Sequence, residues 1–126
     1  MEIKTKAIIP VTAGEDLSEK EGFFVKLSGG EAVLCDATSD IPFGVVVDGA
    51  EEDGMATIAV CGGNAGTLHV SAGGNVSKGD YLQLEAEGDV IEDAGTGARV
   101  IVGVALEDGT DGALIEAIAI TPTAKT

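Results

Sequence analysis

The sequence predicts an all-β fold, a compact β-barrel or β-sandwich built from two pseudo-repeated β-units with little helix. Three observations predict it. The first is a tandem duplication: Val11–Leu27 returns as Val70–Leu84, Glu31–Ala37 as Gly88–Ala94, and Gly44–Asp48 as Gly103–Glu107. The offset stays between about 57 and 59 residues, so the match is collinear. The second is composition: 44% hydrophobic residues, only 3% aromatic, no Trp and 19 Gly among 126 residues. Val, Ile, Leu and Ala must fill the core, and glycine supplies tight corners between short strands. The third is apolar alternation over short windows punctuated by turn residues.

In chain order, Ile3 to Val11 reads as an extended arm or first strand ending near Pro10, and Thr12 to Asp16 as a turn. A strand follows from Phe23 to Leu27 with Val25 and Leu27 on one face. Ser28 to Gly30 is hairpin-turn chemistry, and Ala32 to Cys35 is the return strand. Ala37 to Asp40 fits a single helical turn. Phe43 to Val47 is continuously apolar, as a strand covered on both faces requires. Ala50 to Gly54 is an acidic turn, after which Ala56, Ile58 and Val60 alternate inward.

The second copy repeats the plan. Leu68 to Val70 is a strand and Ala72 to Asn75 a turn. Tyr81 to Glu85 turns Leu82 and Leu84 inward, against Val90 and Ile91. Val100 to Leu106 is the second buried strand, Glu107 to Gly112 a second acidic turn, and Leu114 to Ile120 closes the pattern. The expected division is an arm over residues 1–10, one β-domain over 11–120 with repeats at about 11–61 and 70–120, and a flexible tail over 121–126. Two copies are too few for a solenoid, so a pseudo-two-fold pair of units sharing one core is the expectation.

Charge bounds the partners. Seven basic residues against 22 acidic ones give a net charge of −15. Between Leu27 and Ala98 the only Lys or Arg is Lys78. Such a surface repels a phosphate backbone and an anionic membrane alike, so neither nucleic acid nor membrane is an expected partner. No apolar run approaches the roughly 20 residues that span a bilayer. The start, from Met1 to Lys6, lacks the apolar stretch of a signal peptide, so synthesis in the cytoplasm is the expectation.

Candidate chemistry is sparse. Cys35 and Cys61 sit beside apolar residues without CxxC spacing, which reads as two buried reduced thiols, the alternative being a disulfide between them in a particle released from the cell. With a single His69 they make no zinc pattern. The glycine-rich segment from Gly73 to Gly79 fails the phosphate-loop spacing, because no Ser or Thr follows its Lys-Gly pair. The acidic turns Asp48 to Gly54 and Glu107 to Gly112 lack the twelve-residue calcium pattern and read as solvated hairpin turns. His69 has no neighbouring nucleophile. No catalytic, metal or cofactor residue is assigned, and the chain is not expected to be an enzyme. Phe24 and Tyr81 occupy equivalent places on the face opposite Val25/Leu27 and Leu82/Leu84. They are candidate subunit-interface anchors, against the alternative that both strands are covered on both faces.

The segments Ser77 to Leu82, Lys20 to Val25, Pro42 to Val47 and Val102 to Leu106, with the Trp-free, Gly/Ala/Val-rich composition, carry a family resemblance. On them the chain resembles the head decoration, or cement, proteins of tailed bacteriophages. The resemblance implies a β-tulip-like fold and a homotrimer bound to the major capsid protein on the outer surface of the expanded head. It implies stabilisation of the virion against the pressure of packaged DNA, and no cofactor. It also implies that an N-terminal arm adds a strand to the shell, here Ile3, Lys4, Thr5, Lys6, Ala7, Ile8 and Ile9, an extended segment able to augment a sheet edge. The rival reading is a fibre or adhesin-type β-module recognising a surface carbohydrate or protein, although sugar sites favour aromatic platforms that this chain scarcely has.

Overall fold

The computed structural model describes residues 8–62 and 67–126. Ten strands run through them: β1 (Ile8–Thr12), β2 (Phe24–Ser28), β3 (Glu31–Leu34), β4 (Gly44–Asp48), β5 (Met55–Val60), β6 (Leu68–Ser71), β7 (Tyr81–Leu84), β8 (Val90–Glu92), β9 (Arg99–Ala105) and β10 (Leu114–Lys125). No helix occurs among the described residues. Ala37 to Asp40 is a hydrogen-bonded turn, closed by the Asp40 N–H donating to Ala37 O at 3.1 Å, rather than a turn of helix. Two five-stranded sheets result, with orders β1-β5-β4-β2-β3 and β6-β10-β9-β7-β8. All named pairings are antiparallel. The second order is the first with each strand replaced by its repeat.

The duplication extends to individual hydrogen bonds. Asp53 N–H donates to Ala13 O at 2.8 Å, and Gly112 N–H to Ala72 O at 2.7 Å. Leu17 N–H donates to Ala50 O at 2.8 Å, and Val76 N–H to Gly109 O at 2.9 Å. Gly14 N–H donates to Ala32 O at 2.8 Å, and Gly73 N–H to Val90 O at 2.7 Å. Isolated parallel bridges Ala13–Ala32 and Ala72–Val90 bring the two edge strands of each sheet together at one end, so each sheet curls over its own interior. The turns therefore close each unit in the same way, which is why turn residues and inward apolar positions are what the sequence repeats.

The apolar interior is divided. One cluster joins Ala13, Leu17, Val25, Ala32, Val46, Ala56 and Ile58, all from the first repeat. The other holds the second repeat's counterparts, such as Ala72, Val76, Leu82, Val90, Ala105, Ile115 and Ala117, together with Phe24, Cys35 and Val45 from the first. β4 belongs to both, because Val45 and Val46 point to opposite faces and both are buried. The expected single core shared about a pseudo-two-fold axis is thus corrected. Each unit has its own interior, and the outer face of the first sheet is an added wall of the second.

Two boundaries also move. The stretch 121–126, expected as a flexible tail, is strand β10 as far as Lys125; Thr123, Ala124 and Lys125 pair with Ile101, Val100 and Arg99 after a register shift. A bulge lets the strand resume pairing where periodicity alone predicts an end. At the other end Ile8 and Ile9, expected in the arm, pair with Ala59 and Ile58 in the chain's own sheet. Arm residues Ile3, Lys4, Thr5, Lys6 and Ala7 lie outside the described residues. Leu27, expected inward with Val25, is 56% exposed.

Candidate functional site

Phe24 and Tyr81 are equivalent in register. Phe24 pairs with Val45 and Tyr81 with Val104. Across the first sheet a row runs Phe24–Val45–Ala59–Ile8; across the second it runs Tyr81–Val104–Ile118. Their surroundings differ completely. Phe24 is 1% exposed and Tyr81 59%. Phe24 lies in the second repeat's apolar cluster, and its N–H donates to Gly88 O at 2.7 Å, outside its own sheet. The expectation of Phe24 as a subunit-interface anchor is therefore corrected: it is an anchor, but between the repeats of one chain. Tyr81 faces solvent, as an anchor for a partner must.

The contact between repeats is close at two points. Gly22 O accepts from Ser71 N–H at 2.9 Å. A Cβ on Gly22 would meet Ser71 N at 2.8 Å and Val70 C at 3.0 Å, besides the Leu114 side chain. A Cβ on Gly88 would meet Phe24 O at 3.0 Å. Glycine at both positions lets the two backbones approach. Neither stands out in the sequence. Their counterparts Gly79 and Gly30 face open space, and a Cβ added to either would meet nothing within 4 Å.

Apolar exposure marks the remaining surface. Ile8, Leu27, Ile41, Val47, Met55, Tyr81, Leu114 and Ile118 are all substantially exposed. Ile118 and Met55 are not among the residues that the sequence picks out, although for Ile118 a signal existed: its matched position carries Ala59, so size differs where the repeat is otherwise kept. Beside Tyr81 a groove of about 410 Å³ is lined by Asp93, Arg99, Ile101, Ile120, Thr123 and Lys125. Arg99 Nε donates to Asp93 Oδ1, and this hydrogen bond holds the Asp93 carboxyl below its ordinary range. Two cations, Arg99 and Lys125, thus share the groove beside the tyrosine with one carboxylate, Asp93.

Reactive groups are few. Cys35 and Cys61 are free thiols. Burial pushes each up to about 12, with the Asp40 charge adding to Cys35, so neither thiolate forms near neutral pH. Among the described residues no three His, Cys, Asp or Glu side chains are placed to share a metal ion. The acidic group of note is Glu85 with Asp89. Burial raises Glu85 to about 7, with hydrogen bonding to Asp89 and the charges of Asp89, Glu87 and Asp111 adding to it. Asp89 is buried, and its Oδ1 has no hydrogen-bond partner. His69 is exposed on β6, and its strand neighbour Glu116 is the residue opposite it.

Sequence comparison finds no matching family model and no matching curated protein. Solved structures do match. One is the head fiber gp8.5 N base of bacteriophage phi29, with a TM-score of 0.66, 15% identity, and coverage of 94% of this chain and 98% of that one. At that identity the likeness establishes a shared fold along nearly the whole of both chains.

Proposed function

We propose that this chain is a structural protein of a phage head, bound to the outer surface of the expanded capsid, where it stabilises the shell against internal DNA pressure. The observation that carries this reading is the full-length fold likeness to a phage head fibre base. Charge supports it, because a protein of net charge −15 is repelled from a DNA-filled interior. The proposed partner is the major capsid protein, gripped by the arm Ile3 to Ala7 with the edge strand that starts at Ile8, through backbone pairing. A homotrimer is the proposed form, since several weak symmetric contacts add to firm attachment. No chemistry is assigned to the role.

The test is to mix the protein with expanded, DNA-filled heads of its phage and with unexpanded ones. Binding to the expanded form alone, with a gain in resistance to heat or chelator, is the expected result; binding to neither overturns the proposal. Deleting residues 1–7 spares β1 and is expected to abolish head binding in a chain that still folds. The fibre-base identity of the structural neighbour favours one second reading, a module that carries or forms part of a head fibre and recognises a surface carbohydrate or protein. Retained head binding by a chain that also scores on a glycan array would support it.

A further inference from the structure

The contact between the two repeats is heterologous: one surface of the first repeat sits on a different surface of the second. A pair related by a two-fold axis would bury equivalent residues reciprocally. Here the Phe24 row and Gly22 of the first repeat seat on Val70, Ser71, Leu114 and Gly88 of the second. Each repeat has both surfaces, so one of each is left over. On the second repeat the unused row is Tyr81–Val104–Ile118, where Ile118 is 43% exposed against 0% for its counterpart Ala59. On the first repeat the unused seat is marked by Leu27, Gly30 and Met55. Leu27 is 56% exposed, whereas its counterpart Leu84 is 0% exposed in the cluster that holds Phe24.

We propose that chains reuse this contact between molecules: the Tyr81–Val104–Ile118 row of one copy seats on the Leu27, Gly30 and Met55 face of a second copy. The occupant of the seat is argued from the chain itself. Strand order and the closing turn hydrogen bonds recur in the two repeats. The pairings that carry row and seat correspond, Phe24–Val45–Ala59 with Tyr81–Val104–Ile118 and Thr12–Met55 with Ser71–Leu114, so the row and the seat keep the relative shapes that already fit within one molecule. Apolar side chains stand where the covered version has apolar side chains. Charge has been exchanged in the complementary sense. Glu21 lies near Gly112 across the internal cleft. The matching turn positions are Lys78 on the row side and Asp53 on the seat side, a cation opposite a carboxylate. That exchange offsets part of the repulsion between copies of an acidic chain and favours chain-to-chain contact over a stray apolar partner. A head-to-tail contact closes into a ring when its rotation permits and otherwise grows as a filament. This inference names a contact for the self-association proposed above, but it rests on the geometry of the repeats, so failure of head binding would leave it standing.

The test is sedimentation velocity over a concentration series in moderate salt, with thermal unfolding of every variant as the check on folding. Wild-type protein is expected to associate; a chain that stays monomeric at the highest soluble concentration overturns the proposal. Ile118→Glu spoils only the row and Met55→Lys only the seat, both at exposed positions. Each is expected to weaken association by roughly 30-fold or more, the size of a hot-spot loss. Mixing the two variants is the decisive arm. Ile118→Glu retains a seat and Met55→Lys retains a row, so the mixture is expected to form a one-to-one dimer that neither forms alone. Loss in Ile118→Glu with wild-type association in Met55→Lys would show the row pairing with itself and overturn the head-to-tail contact. A mixture that remains monomeric would overturn it too.

Discussion

The two repeats share strand order and turn bonds, yet they do different work because one is covered where the other is bare. In the first repeat, the outer sheet face with Phe24, Val45 and Ala59 is buried against its neighbour, while its Leu27 side is open. In the second repeat, the Leu84 side is sealed and the Tyr81 face is open. One asymmetric contact therefore turns two near-identical units into a wall and a seat that differ in consequence. Duplication supplied the shape, and the order of stacking assigned the roles.

The largest effect should come from breaking the covered half of that comparison. Phe24→Ala removes a fully buried aromatic ring and is expected to cost about 3–5 kcal/mol in denaturant unfolding. Tyr81→Ala at the matched position is expected to change monomer stability by no more than about 0.5 kcal/mol. Equal losses at the two sites would mean that the Tyr81 face is covered within the monomer after all.

Glycine gives the next test. Gly22 and Gly79 both hold a positive φ, +84° and +94°, so either alanine carries the left-handed backbone cost of about 1–2 kcal/mol. Only Gly22→Ala also drives a Cβ into Ser71 and Val70, which adds overpacking of about 1–3 kcal/mol. Differential scanning calorimetry of the pair should show the first variant well below the second.

A smaller effect is expected from the one strand segment that the repeats do not share. Removing residues 121–126 deletes the pairs of Thr123, Ala124 and Lys125 with β9, a segment absent from β5, which ends at Val60. A loss of about 1–3 kcal/mol is expected for the few ladder bonds involved, and amide exchange should quicken at Ile101 and Val100. Unchanged protection there would return 121–126 to the status of a tail.

The smallest effect is electrostatic and confined to the second repeat. Glu85 is raised to about 7 in the folded chain by burial, its Asp89 neighbour and nearby carboxylates, from an ordinary 4.5. In that window the folded state binds more protons than the unfolded one, so stability is full below about 4.5, falls as pH rises, and levels off above about 7. Glu85→Gln should flatten this slope and shift the unfolding midpoint near pH 8 upward by a few degrees at most. Ser28 holds the matched position in the first repeat and adds no such slope.

Much of the fold was legible because turn glycines and inward apolar residues obey short-range rules. Val25, Ala56 and Ile58 fall inward as their alternation predicts, and Val45 with Val46 shows a strand covered on both faces. Alternation failed at Leu27, because a residue can point to the inner side of a curled sheet and still lie beyond the part that is roofed. It failed at Phe24 and Tyr81 because equivalence in a repeat fixes orientation within a unit, not what lies beyond it. Of the candidate site, the outward position of Tyr81 was legible, whereas the pairing of Ile8 and Ile9 within the chain's own sheet and the placement of Ile118, Met55, Gly22 and Gly88 were not. Their roles arise only between units.

By itself the sequence determined two β-units of like shape and an acidic surface hostile to polyanions. Those follow from composition and from hydrogen-bond and side-chain periods that act over a few residues. Tertiary structure decided which copy of each surface is hidden, because burial depends on contacts between residues about 50 to 90 positions apart, whose pairing no local period encodes. Phe24 with Gly88, and Gly22 with Ser71, are those contacts; Tyr81 with Gly30 is the matching pair that the proposed contact between molecules would bring together.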